Sequence, residues 1–280
     1  YIQCPRLQTI RQILRHILED GIAARSTPDQ GLRQRIAERC SRVLGVDVGY
    51  ENVIMTNGSQ ECFDQLGKMF LDRGDGMIVE NPGYLGAIQS FSAYGPDFDG
   101  VDVGPDGVDT EQLSAALEKG PKMFYSIPNY QNPSGFSYSA GVRREVADLI
   151  ADSGCLMIED DAYGELGYRG RVNKVMKSMV PDDIVLTGSF SKTISPGMRV
   201  GWMVIPDWMV GSASKCLESS SLQSNTFCQR VIDRFLAEND YDRFLDGLRR
   251  GYESKRDIFL DAMEDSPPDC MQWNRPDGGM

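Results

Sequence analysis

The 280-residue sequence predicts an α/β fold, with a mostly parallel sheet covered by helices on both faces. Short runs of consecutive apolar residues recur along the chain, as expected of strands that are buried on both faces. Between them lie longer segments whose apolar residues repeat every three to four positions, as on amphipathic helices. A content of 41% hydrophobic and 25% charged residues is that of an ordinary globular protein, and it excludes fibrous, coiled-coil and disordered classes.

The elements follow one another in a regular order. A first helix is predicted over 7–20, where apolar residues repeat with a helical period and a glycine follows. A second amphipathic helix covers 32–44, and it leads into a short buried strand at 53–56. Further strands are predicted at 77–80, 122–126, 155–159, 183–187 and 199–205, and further helices at 59–71, 110–118, 139–152, 227–238 and 241–263.

The chain is expected to divide into three regions. Residues 1–30 form an N-terminal helical segment, and 31–235 form the large α/β domain. The segment 211–225 is rich in serine and poor in large apolar residues, which indicates a domain boundary just after it. Residues 236–280 are expected to begin a small second domain. The final turn sequence leads into a further strand, so this domain is expected to be incomplete here.

Charge and cysteine usage argue against several functional classes. Lys and Arg total 29 against 41 Asp and Glu, and the net charge of −12 opposes binding to nucleic acids and anionic lipids. The sequence contains no apolar stretch long enough to span a membrane and no signal peptide. We therefore expect a cytoplasmic protein that does not act on membranes. A single histidine, His16, and seven scattered cysteines argue against a metal site, a disulfide framework and a Ser/His/Asp triad.

The segment 187–201 carries the residues best suited to chemistry. Lys192 follows the carboxyl end of a predicted strand and is preceded by two serines, and Arg199 lies seven residues after it. An amine in that place can act as a nucleophile beside an anion-binding group. On its own, Lys192 fits an exposed loop lysine better, since this residue type is mostly exposed.

Three further segments lie at the ends of predicted strands. Adjacent acids, Asp160 among them, end the strand at 155–159, where open parallel sheets place their ligand crevice. The segment 129–135 reads N-Y-Q-N-P-S-G, and taken alone it fits a Pro-Gly turn. Residues 56–60, T-N-G-S-Q, lie between a strand and a helix. Backbone N–H groups there can hold a phosphate, although an ordinary helix cap explains them equally well.

In this order and spacing the motifs resemble the fold-type I pyridoxal-phosphate enzymes, and among them the class I/II aminotransferases. The resemblance covers about residues 32–280 and depends on N-P-S-G at 132–135, D-D-A-Y at 160–163, S-F-S-K at 189–192 and M-R-V-G-W at 198–202. The first two motifs look most like the 2-aminoadipate/kynurenine aminotransferase branch, and they are also similar to the aminotransferase-like domain of MocR-type regulators. The resemblance implies the PLP-dependent transferase fold type I.

By position, the resemblance implies a Schiff base between Lys192 and the aldehyde of pyridoxal 5′-phosphate, with the released lysine moving the proton in catalysis. Asp160 then pairs with the pyridine nitrogen, while Tyr163 and Asn132 bind the ring oxygen. Tyr84 stacks on the ring. The expected catalytic residues are therefore Lys192, Asp160 and Tyr163, and the residues expected to hold the phosphate are Gly58, Ser59, Gln60, Ser189, Ser191 and Arg199.

The implied activity is transfer of an amino group from a 2-amino acid to a 2-oxo acid by a homodimer. Branch similarity favours a broad range of donors with 2-oxoglutarate as acceptor. The motifs identify the cofactor and not the bond that breaks, so a lyase, decarboxylase or racemase on the same fold stays open. A ligand-sensing domain of a MocR-type transcription regulator is the other alternative. The arginine that holds the substrate carboxylate in this family is expected beyond Met280.

Overall fold

A computed structural model describes residues 29–265, 270–271 and 273–280. The predicted helix at 7–20 lies outside the described residues. The strands are β1 (Val53–Thr56), β2 (Gly76–Asn81), β3 (Asp97–Gly104), β4 (Gly107–Val108), β5 (Met123–Ser126), β6 (Leu156–Asp160), β7 (Ile184–Ser189) and β8 (Gly201–Val204). The helices are α1 (Gln30–Arg39), α2 (Ser59–Phe70), α3 (Leu85–Ser92), α4 (Thr110–Leu117), α5 (Ala140–Ser153), α6 (Val210–Ser221), α7 (Thr226–Glu238) and α8 (Tyr241–Asp265).

Within the described residues, the strands form one eight-stranded sheet in the order β1-β8-β7-β6-β5-β2-β3-β4. The five strands from β7 to β3 in this order run parallel to one another. Strand β8 runs antiparallel to both β7 and β1, and the short β4 forms a hairpin with β3. The prediction of a mostly parallel sheet in an α/β fold is confirmed.

Both faces of the central strands are buried, because successive residues on one strand point into different cores. On β2, Met77 and Val79 pack into a core with α2 and α3, whereas Ile78 packs into a second core with α4 and α5. A third core joins α1 and α7 to the β1 and β8 side of the sheet. Alternating side chains buried on both faces are the reason that these strands read as continuous apolar runs.

Apart from the helix at 7–20, the predicted strands and helices fall on observed ones, with ends that differ by a few residues, but four elements were missed: α3, β3, the short β4 and α6. Helix α3 is a short element that the pattern did not show. Strand β3 has acidic and exposed residues in its first half and buries only Val101 and Val103 near its end. Most of the serine-rich segment 211–225 is helix α6, which buries Ala213 and Leu217 in the core beside α2. The domain boundary placed near this segment stays a prediction.

The register of the sheet brings several loops to one end of the molecule. Ser126 lies beside Glu159, and Asp160 lies beside Thr187, so the carboxyl ends of β5, β6 and β7 are level. Strand β1 ends at the same place, because Thr56 pairs with Gly201, where β8 begins. The connections after these parallel strands therefore meet the turn that precedes β8, as expected for a ligand crevice in an open sheet.

Candidate active site

A pocket of about 110 Å³ lies at this end of the sheet. Its lining includes all of the residues predicted from the motifs except Gly58: Ser59, Gln60, Tyr84, Asn132, Asp160, Tyr163, Ser189, Ser191, Lys192 and Arg199. Phe63, Ile127 and Ala162 complete it. The structure thus brings together in one cavity residues that are spread over more than half of the chain.

Gly58 stands behind the pocket wall, immediately before helix α2. Its φ of +89° lies in a region that residues with a side chain rarely adopt. A Cβ at this position would collide with the guanidinium of Arg199, which lies across the start of the helix. The Arg199 Nη2 atom also donates a hydrogen bond to the Asn57 carbonyl at 3.2 Å. A glycine is therefore needed for the arginine to reach this place.

Hydroxyl groups and backbone donors surround the same guanidinium. Gly58 has no side chain to cap α2, so the N–H groups of Ser59 and Gln60 are available to a ligand, whereas that of Glu61 donates to the Gly58 carbonyl at 3.1 Å. Ser189 Oγ and Ser191 Oγ lie 2.9 Å apart. In the described part of the chain, neither Arg199 nor Lys192 forms an ion pair. A helix N-terminus, two hydroxyls and an unpaired guanidinium together favour a phosphate-like anion.

Asp160, the last residue of β6, forms another part of the lining. It is only 3% exposed, and its carboxylate accepts hydrogen bonds from Tyr125 OH at 2.7 Å and from Thr187 Oγ1 at 3.1 Å. Burial raises the pKa of Asp160, while the two hydroxyls and the charge of Lys192 lower it. The hydroxyls therefore orient the carboxylate and favour its ionised form inside the core.

Lys192 and Tyr163 face each other in the pocket. Lys192 Nζ lies 5.6 Å from the centre of the Tyr163 ring. Burial raises the pKa of Tyr163, and a hydrogen bond from Asn132 lowers it. The amine, the phenol and the amide are thus close to one another, although they come from the loops after β7, β6 and β5.

Tyr84 enters the pocket on the turn between β2 and α3. The Asn81–Pro82 peptide in this turn is cis, as is the Asn132–Pro133 peptide in the loop after β5. Gln60 Nε2 donates to the carbonyl of Gly86 at 2.7 Å, in the first turn of α3. The side-chain amide of Gln60 is therefore engaged with the helix that follows Tyr84, and its predicted contact with a phosphate depends on its backbone N–H.

Sequence reasoning missed Tyr125 and Thr187, the two partners of Asp160. Both stand inside buried strands that begin with apolar residues, so the strand pattern gave no reason to select them. A hydroxyl within a buried apolar run was the available signal, since such a group needs a hydrogen-bond partner. Thr187 is the cross-strand neighbour of Asp160, and only the strand pairing reveals this.

The next residue, Asp161, is buried as well but does not line the pocket. Its Oδ1 accepts a hydrogen bond from Asn129 Nδ2 at 2.7 Å. Burial raises the pKa of Asp161 to about 8, although the hydrogen bond from Asn129 lowers it. Asp161 is therefore a buried structural carboxyl group outside the pocket.

The fold is that of the fold-type I aminotransferases. The structure is similar to that of Pyrococcus horikoshii kynurenine aminotransferase in complex with PMP, with KYN as substrates and KYA as products. The TM-score is 0.91 at 29% identity, covering 98% of this chain and 70% of that one. The family model for aminotransferase class I and II matches residues 6–280. The chain therefore belongs to the class I and II aminotransferase family.

Two relatives make the similarity more specific. The chain is 30% identical over 270 residues to aromatic-amino-acid aminotransferase 1 of Thermococcus litoralis, covering 94% of this chain and 64% of that protein. It is 32% identical over 286 residues to 2-aminoadipate transaminase of Thermus thermophilus, covering 99% of this chain and 70% of that protein. This chain therefore spans about two thirds of the length of these relatives.

The chain is also similar to a protein with a regulatory name. It is 26% identical over 250 residues to the probable rhizopine catabolism regulatory protein MocR of Rhizobium meliloti, covering 89% of this chain and 50% of that protein. The resemblance predicted from the motifs, to the aminoadipate/kynurenine branch and to MocR-type regulators, is confirmed.

Proposed function

We propose that this chain is the cofactor-binding part of a pyridoxal-phosphate-dependent aminotransferase. The observation that carries the proposal is the meeting, in one pocket, of an amine, a buried carboxylate, a tyrosine–amide pair and an unpaired guanidinium at a helix start. Pyridoxal 5′-phosphate has four groups that match this set: an aldehyde, a ring nitrogen, a ring oxygen and a phosphate. Family membership supports the same assignment.

The residues present fit this cofactor. The absence of a Cβ at Gly58 leaves the guanidinium of Arg199 across the start of α2, where a phosphate dianion is favoured. Ser59, Gln60, Ser189 and Ser191 would complete this phosphate site. Tyr84 offers a flat ring for stacking. When bound, the cofactor supplies an electron sink for the bonds at the amino acid α-carbon.

The residues of this chain then have separate tasks. Lys192 Nζ binds the cofactor and moves the proton to and from the substrate α-carbon. Asp160 holds a negative charge that keeps a proton on the ring nitrogen, and Tyr125 and Thr187 keep its carboxylate in place. Asn132 and Tyr163 orient the ring through its oxygen.

The substrates proposed for the whole protein are a 2-amino acid donor and a 2-oxo acid acceptor such as 2-oxoglutarate. The support is that relatives of this chain are named for aromatic amino acids and 2-aminoadipate. A lyase, decarboxylase or racemase would use the same pocket, so product analysis must accompany the assay.

We also propose a homodimer located in the cytoplasm. Leu85 is 64% exposed beside Tyr84, and Leu222 is 78% exposed three residues before Asn225, whose N–H donates to Asn57 Oδ1 at 3.0 Å. Apolar side chains exposed near a pocket support coverage by a second copy. A single monomeric species in sedimentation equilibrium would contradict the dimer.

In the described ranges no helix combines the length and the apolar character needed to cross a bilayer. Cell fractionation tests the location.

The direct test is the visible absorption spectrum of the full-length protein with pyridoxal phosphate, before and after borohydride reduction. The control is Lys215→Ala, which replaces an exposed lysine on α6. The wild type and this control should both show an absorption band, and borohydride reduction should attach the cofactor permanently to the protein. Lys192→Ala should lose the band, and amino-group transfer should fall by about 1,000-fold or more.

A panel of amino acids then separates the remaining functions. Conversion of the band to the pyridoxamine form by one or more amino acids supports the aminotransferase. A band that no amino acid converts would favour a regulator or another reaction class. A wild type without any band would contradict the proposed function.

A further inference from the structure

Two loops that carry pocket residues meet at the side chain of Gln131. One loop follows β2 and carries Tyr84, and the other follows β5 and carries Asn132. Gln131 is 2% exposed, although it stands in a loop and does not line the pocket. A polar side chain buried in such a place needs hydrogen-bond partners, and these partners show what it joins.

Gln131 connects one loop to the other through its amide. Its Nε2 donates to Glu80 Oε2 at 3.0 Å, near the end of β2, and to the Pro82 carbonyl at 2.6 Å, at the start of the loop that carries Tyr84. Its Oε1 accepts the N–H of Ser134 at 2.8 Å, in its own loop. Pro82 stands two residues before Tyr84, and Gln131 stands one residue before Asn132. The amide therefore bridges the two loops close to both pocket residues.

The carboxylate of Glu80 is a fixed attachment point for this bridge. Glu80 is buried, and its Oε1 accepts hydrogen bonds from three donors: Ser126 Oγ at 2.8 Å, the Ile127 N–H at 3.1 Å and Tyr138 OH at 2.7 Å. These donors hold one oxygen, so the other is left for Gln131. Such a network is rigid when every member is satisfied, as here.

We propose that Gln131 is a positioning residue that sets the placement of Tyr84 relative to Asn132. This role rests on the proposed function, which assigns ring stacking to Tyr84 and contact with the ring oxygen to Asn132. An apolar side chain of similar length would leave the Pro82 carbonyl and Glu80 Oε2 without their buried donor. The two loops would then be free to move independently.

The test compares Gln131→Met with Tyr138→Phe in the full-length protein. Tyr138→Phe removes one donor from the same carboxylate but keeps the bridge, so it is a matched control. Hydrogen–deuterium exchange is measured without cofactor over 81–86 and 130–136. We expect about tenfold faster exchange in both segments for Gln131→Met, and a change below about twofold at 81–86 for the control. If Gln131→Met does not fold, Gln131→Asn replaces it, because its shorter amide does not reach both acceptors.

A second measurement uses the cofactor-loaded protein. The dissociation constant for pyridoxal phosphate should rise about tenfold in Gln131→Met, and the pH midpoint of the visible absorption band should shift, because Asn132 contacts the ring oxygen. The control should change neither. Exchange and pH midpoint both equal to those of the wild type would overturn the inference. A wild type that binds no cofactor would contradict the proposed function. In that case the exchange measurement, which needs no cofactor, still decides whether Gln131 couples the two loops.

Discussion

The pocket joins two regions that are built in different ways. The anion region, which consists of Gly58, Ser59, Ser189, Ser191 and Arg199, uses backbone N–H groups, short hydroxyls and a guanidinium, and most of its members are partly exposed. The carboxylate region, which consists of Asp160, Tyr125 and Thr187, is buried within three neighbouring strands and is internally hydrogen-bonded. The anion region has donors free for a ligand, whereas the carboxylate region presents one charge that the core holds in place. The anion region should therefore govern affinity, and the carboxylate region should govern chemistry.

The largest effect is expected from Asp160→Asn, which removes the charge of the carboxylate region and keeps its size. Turnover at saturating cofactor should fall about 100- to 1,000-fold, the usual cost of losing one preorganised electrostatic group. Cofactor affinity should change much less, because Arg199 is untouched. Stopped-flow absorption with an amino acid donor measures the first quantity, and a cofactor titration measures the second. Equal losses in both would contradict the division between the two regions.

An intermediate effect is expected from Arg199→Gln, which breaks the anion region. The dissociation constant for pyridoxal phosphate should rise about 10- to 100-fold, since hydrogen bonds to charged groups contribute about 1.5–3 kcal/mol. Turnover at saturating cofactor should stay within about threefold of the wild type, by the same separation of affinity from chemistry. Equilibrium dialysis measures the affinity, with the exposed Arg144→Gln on α5 as control. A fall in saturated turnover as large as that in affinity would show that the guanidinium also acts on the chemistry.

The smallest effect on cofactor binding and turnover is expected from Asp161→Asn, because Asp161 is buried next to the carboxylate region but does not line the pocket. Burial raises the pKa of Asp161 from 3.8 to about 8, so between these values the folded state binds a proton that the unfolded state releases. The free energy of unfolding should therefore fall as the pH rises through this window, by at most about 1.4 kcal/mol per pH unit.

The variant removes this titration, so its melting temperature should fall less than that of the wild type between pH 5 and pH 8. Thermal unfolding by circular dichroism at the two pH values measures the difference. Cofactor affinity should not change, because Asp161 does not line the pocket. Parallel melting curves for the two proteins would refute the assignment of the pH dependence to this carboxyl group.

The two regions also differ in how far the sequence predicts their place in the pocket. Gly58 between a strand and a helix, and two serines before Lys192, are local features, and a short window reveals each of them. Asp160 could be placed at the end of its strand in the same way. Its partner Tyr125 could not, because the contact depends on β5 lying beside β6, and no local pattern encodes strand order.

The fold shows the same distinction between local and long-range information. The central strands could be predicted because burial on both faces makes their sequences continuously apolar. Strand β3 could not, since its acidic first half is exposed and only Val101 and Val103 are buried. Helix α6 was missed because small residues such as Ala213 pack closely against a neighbouring helix without forming a strong apolar stripe. Gln131 was missed for a related reason, since a buried loop amide is recognised only from its partners.

The antiparallel placement of β8 has a consequence for synthesis on the ribosome. Strand β1 stands at the margin of the sheet and pairs with β8, so Thr56 meets Gly201 only after the whole segment between them has been translated. The parallel strands β2, β5 and β6 can associate before that point. The anion region needs both Gly58 and Arg199, so the nascent chain acquires it late, and until then β1 is an unpaired apolar strand of the kind that chaperones bind.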